Sequence, residues 1–404
     1  MSLTMRMKME PERRSKPPRY GRSDTRSVAK WFWEIDKVLV ILVAVLIAIG
    51  LIAVAAASPA AGQRLSGEGS SVPPLYYFYR QLMWIAVAIP VMVVVSMLPK
   101  ARARRLCLLG AIVFTGLLFL VPVIGTEVNG ARRWIGAGFA QIQPSEFLKP
   151  LFIVSIAWLL SLKEKDRSLP MVPLTAALTG VIALLLMRQP NFGETIIFVS
   201  AWVLLLALSG ASMRILYILA AGAVAAVLLA YLFYPVATQR IDGFLFSQGD
   251  TYQVESALRT LTNGGLFGVG PGAGTRKFSL PEPHTDYIFS VIGEEFGIIA
   301  CLAIAILYMT IVVRVLVRLL NEEDKFLVLA GAGLVCQFGL QALINMAVNV
   351  HIAPSKGMTL PFISYGGSSM IALAMGFGLL LAFTRRNPHL HSAPYKVTRR
   401  GISR

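Results

Sequence analysis

Residues Leu280–Val313 read LPEPHTDYIFSVIGEEFGIIACLAIAILYMTIVV. A polar, proline-punctuated loop carrying His284, Thr285 and Asp286 gives way at Tyr287 to an apolar run interrupted only by Glu294 and Glu295. About 20 such residues suffice to cross a hydrocarbon core, so the pattern predicts a membrane helix over Tyr287–Val313. At about 1.5 Å per residue the two glutamates lie roughly 12 Å beyond the loop. A carboxylate at a helix centre costs about 2.5–3.5 kcal/mol on insertion scales, so one in such a helix marks a candidate functional site. Thr285 is a good cap residue and would put Asp286 in the first turn, where the positive helix end favours the ionised form. A positioned carboxylate of that kind can serve as a general base or help hold a divalent cation. Plain helix capping is the competing reading.

The rest of the chain has the same character. Of 404 residues, 56% are hydrophobic and only 15% charged, with a mean hydropathy of +0.66, too apolar for a soluble domain of this length. Val38–Ala57, Phe78–Leu98, Leu106–Ile124, Met213–Phe233, Tyr287–Val313 and Phe326–Val350 are each long enough to span a bilayer. Four shorter runs, near Phe147–Leu162, Val172–Met187, Thr195–Leu208 and Met370–Phe383, become spans if packed inside a bundle. The expected fold is therefore all-α and polytopic, with about ten transmembrane helices and both termini on one side.

A net charge of +17 could signal nucleic-acid binding, but its distribution argues against it. With both termini cytoplasmic, 27 of the 38 Lys and Arg fall on inside segments, as the positive-inside rule requires. Basic tails beside anionic lipid account for the charge. The 37-residue leader and the length of Val38–Ala57 make that run a retained span rather than a signal peptide. We expect residues 1–36 to form a basic, disordered cytoplasmic tail, 37–385 one membrane domain, and 386–404 a second basic tail. The three cysteines, Cys107, Cys301 and Cys336, fall in or beside apolar helices and read as packing residues. The four histidines form no metal-ligand spacing.

Chemistry should reside in the outer loops. Gly125–Gln143 contains NGARRW and leads into QPSEFLK. Arg132 and Arg133 stand beside Trp134 at an outer boundary where basic residues are disfavoured; they read as an interfacial anchor or as a headgroup and pyrophosphate site. Glu146 and Lys149, at i and i+3, can neutralise each other on one helix face, as a structural pair or a substrate-facing one. The loop 234–285 is far longer than a connection needs. Within it Val254, Ala257, Leu258 and Leu261 follow helical spacing up to a stop at Asn263-Gly264-Gly265, predicting an amphipathic helix on the membrane or over the bundle mouth. The following run, NGGLFGVGPGAGTRK, lacks the Gly-Lys-Ser/Thr ending of a nucleotide loop and reads as flexible, with Arg276 and Lys277 available to an anionic substrate.

Taken together, GARRW, QPSEFLK, PEPHTDYIFSVIGEE and KGMTLPFISYGGSS resemble the SEDS family (shape, elongation, division and sporulation), in family order over nearly all of residues 36–385. KGMTLPFISYGGSS and HTDYIF favour its division branch. The resemblance implies a ten-helix inner-membrane glycosyltransferase that polymerises lipid II into peptidoglycan glycan strands at the outer face during septal synthesis. It transfers the essential aspartate to Asp286, the buried acid–base pair to Glu146 and Lys149, and the basic pair to Arg132 and Arg133. His284, Thr285, Arg276, Lys277 and Ser364 complete the substrate-binding candidates. Mg²⁺ or Mn²⁺ is a candidate cofactor, with Asp286 its candidate ligand. Expected partners are a class B penicillin-binding transpeptidase, other division proteins and the membrane, with no nucleic acid. One departure is Asn191, in QPNFG where the family has QPDFG, so a role needing a carboxylate there does not carry over. A lipid II flippase, using Glu294, Glu295, Glu146 and Lys149 as its path, and a non-catalytic division scaffold are the alternatives.

Overall fold

The structure, a computed structural model, describes residues 27–65, 72–128, 131–136, 141–166, 168–234, 238, 241–243, 246, 252–354 and 357–385. The chain divides into two units, one holding residues 1–35 and 385–404, the other Asp36–Thr384. In the first, the end of the leader expected to be disordered forms helix α1 (Ser27–Glu34), with Trp31, Phe32 and Trp33 in it. The tails before and after lie outside the described residues.

The second unit holds the expected apolar helices: α2 (Lys37–Leu65), α3 (Tyr76–Met97), α4 (Lys100–Ile124), α5 (Pro144–Lys165), α6 (Met171–Arg188), α7 (Phe192–Leu208) and α8 (Met213–Phe233). After the amphipathic α9 (Tyr252–Asn263) come α10 (Ile288–Leu319), α11 (Lys325–Asn349) and α12 (Gly367–Thr384). Among the described residues nine helices are long and apolar enough to cross a membrane, and the 17-residue α7 is the tenth apolar one. The fold is all-α and polytopic. Helices α5, α11 and α12 are the most buried, at 67–72% of their apolar windows, which explains why their polar residues are tolerable: they face protein rather than lipid.

Three features depart from the pattern. The GARRW loop is a short antiparallel hairpin, β1 (Thr126–Val128) with β2 (Ala131–Trp134). Helix α2 does not stop at Ala57 but continues to Leu65, where Ser58 Oγ accepts the Tyr77 N–H of α3 at 3.2 Å. Helix α10 is two helices joined at Gly297, whose φ of 81° lies in the left-handed region that favours glycine. A Cβ at Gly297 would collide with the backbone of Leu266 and Gly268, because the glycine-rich loop runs directly against the break.

That loop is pinned, not free. Val269 N–H and Gly270 N–H donate to the carbonyls of Glu294 and Glu295, and Ile298 N–H to that of Gly265. The loop's backbone therefore pairs with the backbone groups that the kink in α10 releases. Helix α9 buries Val254, Ala257 and Leu261 of the expected stripe and half-buries Leu258. Ala257 packs with Ala57, Leu280, Tyr287, Val291 and Val348 in one apolar cluster. The cluster ties the outer ends of α2, α10 and α11 to the loop before Asp286.

Candidate active site

The candidate catalytic turn is held by its main chain. Helix α10 begins at Ile288 with Tyr287 as N-cap, so Asp286 precedes the helix instead of sitting in its first turn. Thr285 is no cap either: its hydroxyl donates to the carboxylate of Glu282 at 3.0 Å, closing a tight turn. The three carbonyls of His284, Thr285 and Asp286 are all engaged. His284 O accepts the Tyr365 N–H at 2.8 Å, Thr285 O the Ser364 hydroxyl at 2.6 Å, and Asp286 O the amides of Asn345 and Asn349 at 2.9 and 3.1 Å. Ser364 is thus brought to the turn as a clamp on its backbone. Asp286 is half-buried, and its carboxylate faces residue 357, since a Cβ on Gly357 would meet Oδ2 at 3.2 Å.

His284 is buried and lies against Tyr77, ring centroids 3.9 Å apart, with Tyr365 at 5.3 Å. Burial pushes its pKa down to about 4, so it is a neutral imidazole near pH 7. Its Nδ1 is buried without a hydrogen-bond partner.

The segment opposite, residues 357–366, is non-helical backbone packed into the bundle, with Leu360, Phe362, Ile363 and Ser364 all nearly inaccessible. Such backbone survives in a bilayer only when its polar groups find partners in protein. Here Pro361 O accepts from Tyr308, Ser364 O from Gln81 and Thr359 O from Gln341. Gly50 permits the approach, because a Cβ there would strike the backbone of Phe362 and Ile363.

The second cluster lies at the start of α5. Lys149 Nζ is 2.8 Å from Glu146 and 3.9 Å from Glu194 of α7, all three side chains buried. Gln143 donates to Glu194 at 2.9 Å and to Ser145 at 3.1 Å. Lys149 also reaches Gln341 at 3.5 Å, and Gln341 donates to Thr359 O at 3.1 Å. The expected pair is therefore a triad bridged toward the 357–366 segment.

The remaining candidates serve other contacts. Arg133 donates to the carbonyls of Gln189 and Pro190 at 3.1 and 2.6 Å, fastening the hairpin to the turn before α7. Arg132, exposed, pairs with Glu127 at 3.5 Å. Asn191, the departure from the family motif, is the α7 N-cap residue, but its side chain makes no capping bond. Lys277 is buried, its ammonium paired with Glu295 and donating to Ala56 O at 2.9 Å, so the structure turns it away from a substrate. Arg276 stays exposed on the loop. Glu294 accepts the N–H groups of Thr275, Arg276 and Lys277 and the Asn263 amide at 2.7–3.0 Å. Glu295 accepts the Gly272 N–H. The two glutamates that looked functional in the sequence are the anchors of the loop.

Glu194, Gln341, Asn345 and Asn349 were not among the sequence candidates. Their signal was present as polar residues inside apolar runs, which is costly and so calls for an explanation. As for a divalent cation, among the described residues no three His, Cys, Asp or Glu side chains converge. The protein donors among them do not by themselves build a cation cage at Asp286.

Comparison with known proteins identifies the family. Residues 36–389 match the family model described as cell cycle protein, that of FtsW, RodA and SpoVE. A Caulobacter vibrioides protein named "Probable peptidoglycan glycosyltransferase FtsW" is 36% identical over 380 residues, 93% of this chain and 95% of the relative. Its namesake from Coxiella burnetii is 35% identical over 374 residues, 88% of this chain and 98% of the relative. Among solved structures, a chain of a peptidoglycan synthase complex superposes with a TM-score of 0.70 at 26% identity, covering 87% of this chain and 97% of its own. The rod shape determining protein RodA of Thermus thermophilus gives 0.64 at 27% identity, covering 87% of this chain and 96% of its own. The chain belongs to the SEDS family of FtsW, RodA and SpoVE.

Proposed function

We infer that this protein is a peptidoglycan glycosyltransferase that polymerises lipid II at the outer face of the bacterial inner membrane, at the division septum. The observation that carries the reading is the Asp286 turn. The carboxylate of the half-buried Asp286 stands at the outer mouth of the bundle on a backbone whose three successive carbonyls are all hydrogen-bonded. A base works when it is held within reach of the proton it takes, and this backbone is held from three sides.

In the proposed step the Asp286 carboxylate accepts the proton of the acceptor sugar's 4-hydroxyl. That oxygen bonds to the anomeric carbon of the donor as the bond to undecaprenyl pyrophosphate breaks, giving a β-linkage by inversion. The pyrophosphate leaves with the electron pair, and cationic groups at the outer face, Arg132 and Arg276 among them, balance its charge. If Mg²⁺ or Mn²⁺ takes part, Asp286 would be its protein ligand and the ion would add to that charge balance. The lipid tail enters laterally between helices. A class B penicillin-binding transpeptidase is the partner that cross-links the product. Of the residues a flippase would use, Glu294 and Glu295 are occupied by the glycine-rich loop, which leaves that alternative only Glu146 and Lys149.

The test is polymerisation of lipid II by purified protein with its transpeptidase, the transpeptidase serine being blocked. Asp286→Asn keeps size and shape but removes the charge, and should lose about 10²–10⁴-fold in rate while still binding the transpeptidase. Asp242→Asn, bonded to Tyr231 in the same outer loop, should stay active. Near-wild-type polymerisation by Asp286→Asn would sink the assignment, and movement of labelled lipid II across vesicles without polymer would favour a flippase.

A further inference from the structure

Gln337, Gln341, Asn345 and Asn349 follow one another at four-residue intervals along the transmembrane helix α11, which puts all four on one face. Each is buried. An amide in a membrane span is costly unless its donors and acceptors are met, and apolar residues would pack there without that demand. Three of these amides direct donors to non-helical backbone around the candidate base, and the fourth, Gln337, donates to one of the three. Gln337 donates to Gln341 at 3.1 Å, and Gln341 to Thr359 O at 3.1 Å. Asn345 donates to Met358 O at 2.6 Å and to Asp286 O at 2.9 Å. Asn349 donates to Asp286 O at 3.1 Å, and its own oxygen accepts both the N–H and the hydroxyl of Ser290 at 3.1 and 2.7 Å. Asn345 therefore joins the backbone of Asp286 to the 357–366 segment that its carboxylate faces. Gln341, at 3.5 Å from Lys149, extends the same line to the intramembrane triad.

We propose that this amide ladder is the positioning element of the active site: Asn345 and Asn349 set where the Asp286 carboxylate stands, and Gln341 links that position to the Glu146–Lys149–Glu194 cluster. The proposal rests on the reading of Asp286 as the base. None of the four amides touches substrate in this scheme. They act through Asp286, and a displacement of about 1 Å at a reacting group can cost 10²-fold in rate.

The experiment measures kcat and KM for lipid II, per folded enzyme, with the transpeptidase present, alongside the melting temperature of the solubilised complex. Asn345→Leu matches the side chain in size and removes both donors. It should lower kcat about 10²-fold and leave KM within about threefold, since substrate contacts are intact. Thr179→Val, which removes a buried hydroxyl bonded within α6, is the control for loss of a buried hydrogen bond and should keep wild-type kcat. Should Asn345→Leu fail to fold, Asn349→Ser, which shortens the donor at the same carbonyl, is measured in the same way with the same expectation. Wild-type kcat per folded molecule in the ladder variant, with only a lower melting temperature, would reduce the ladder to a structural stripe and overturn the proposal. If Asp286→Asn is inactive while Asn345→Leu is not, the ladder alone fails; if Asp286→Asn is active, the catalytic reading falls first and the ladder with it.

Discussion

His284 illustrates how a residue beside a reacting group acquires its state from burial. Its folded pKa is lowered to about 4, against about 6.5 in an unfolded chain, so the unfolded state takes up a proton first as pH falls. Stability is therefore unaffected above about pH 6.5 and is lost progressively from there toward pH 4, at up to about 1.4 kcal/mol per pH unit. Melting temperatures of wild type and His284→Phe across that window should diverge, the Phe protein showing the shallower decline. Parallel curves would mean that the imidazole is already protonated in the fold. At Arg133, the two carbonyl contacts predict that Arg133→Lys, which loses the fork, loosens the hairpin. Protease sensitivity near residue 132 should rise, whereas Arg132→Lys, at an exposed pair, should change it little.

At the level of elements, the unusual unit is the glycine-rich loop clasped to the kink of α10. Lys277 and Glu295 form its buried ion pair, and losing one partner of such a pair costs about 3–5 kcal/mol because the other charge is left stranded. Lys277→Met should accordingly lower the thermal stability of the purified protein sharply. Adding Glu295→Gln to it should recover part of the loss, as the neutral amide still accepts the Gly272 N–H. A double variant no more stable than Lys277→Met would show that the pair's charge is not what holds the loop. Gly297, with its left-handed φ and the loop backbone against it, is the position where an alanine should fail in any background.

For the molecule as a whole, the charge asymmetry fixes an orientation that labelling can check. In a background without native cysteines, Phe267→Cys on the outer loop should react with an impermeant thiol reagent on intact cells. Glu323→Cys and Asp166→Cys should react only after lysis. Phe267, at 80% exposure, and the exposed Glu323 and Asp166 are suitable reporters, whereas Ala103, on the same inner side, is fully buried. Reaction of Glu323→Cys on intact cells would invert the topology and move Asp286 to the wrong face for lipid-linked polymerisation.

The membrane helices, though not the extension of α2 to Leu65 or of α10 to Leu319, were legible in the chain because apolar length and the absence of charge are properties of contiguous residues, and α9 was legible because its apolar stripe repeats at helical spacing. Glu146 and Lys149 stood out as polar groups where polarity is expensive, and Asp286 by its place at the start of an apolar helix and by the family motif around it. What no run of residues could reveal is which polar group answers which. Glu294 and Glu295 look like a substrate path until the loop that precedes them by about 20 residues folds back to supply its N–H groups. Lys277 looks available until Glu295 and Ala56 of α2 claim it. Asn345 and Asn349 look like packing oddities until Asp286, about 60 residues earlier, brings its carbonyl to them. Hydrophobic cost is a local quantity and can be read along a chain; hydrogen-bond satisfaction is a pairwise one, settled only when distant segments meet.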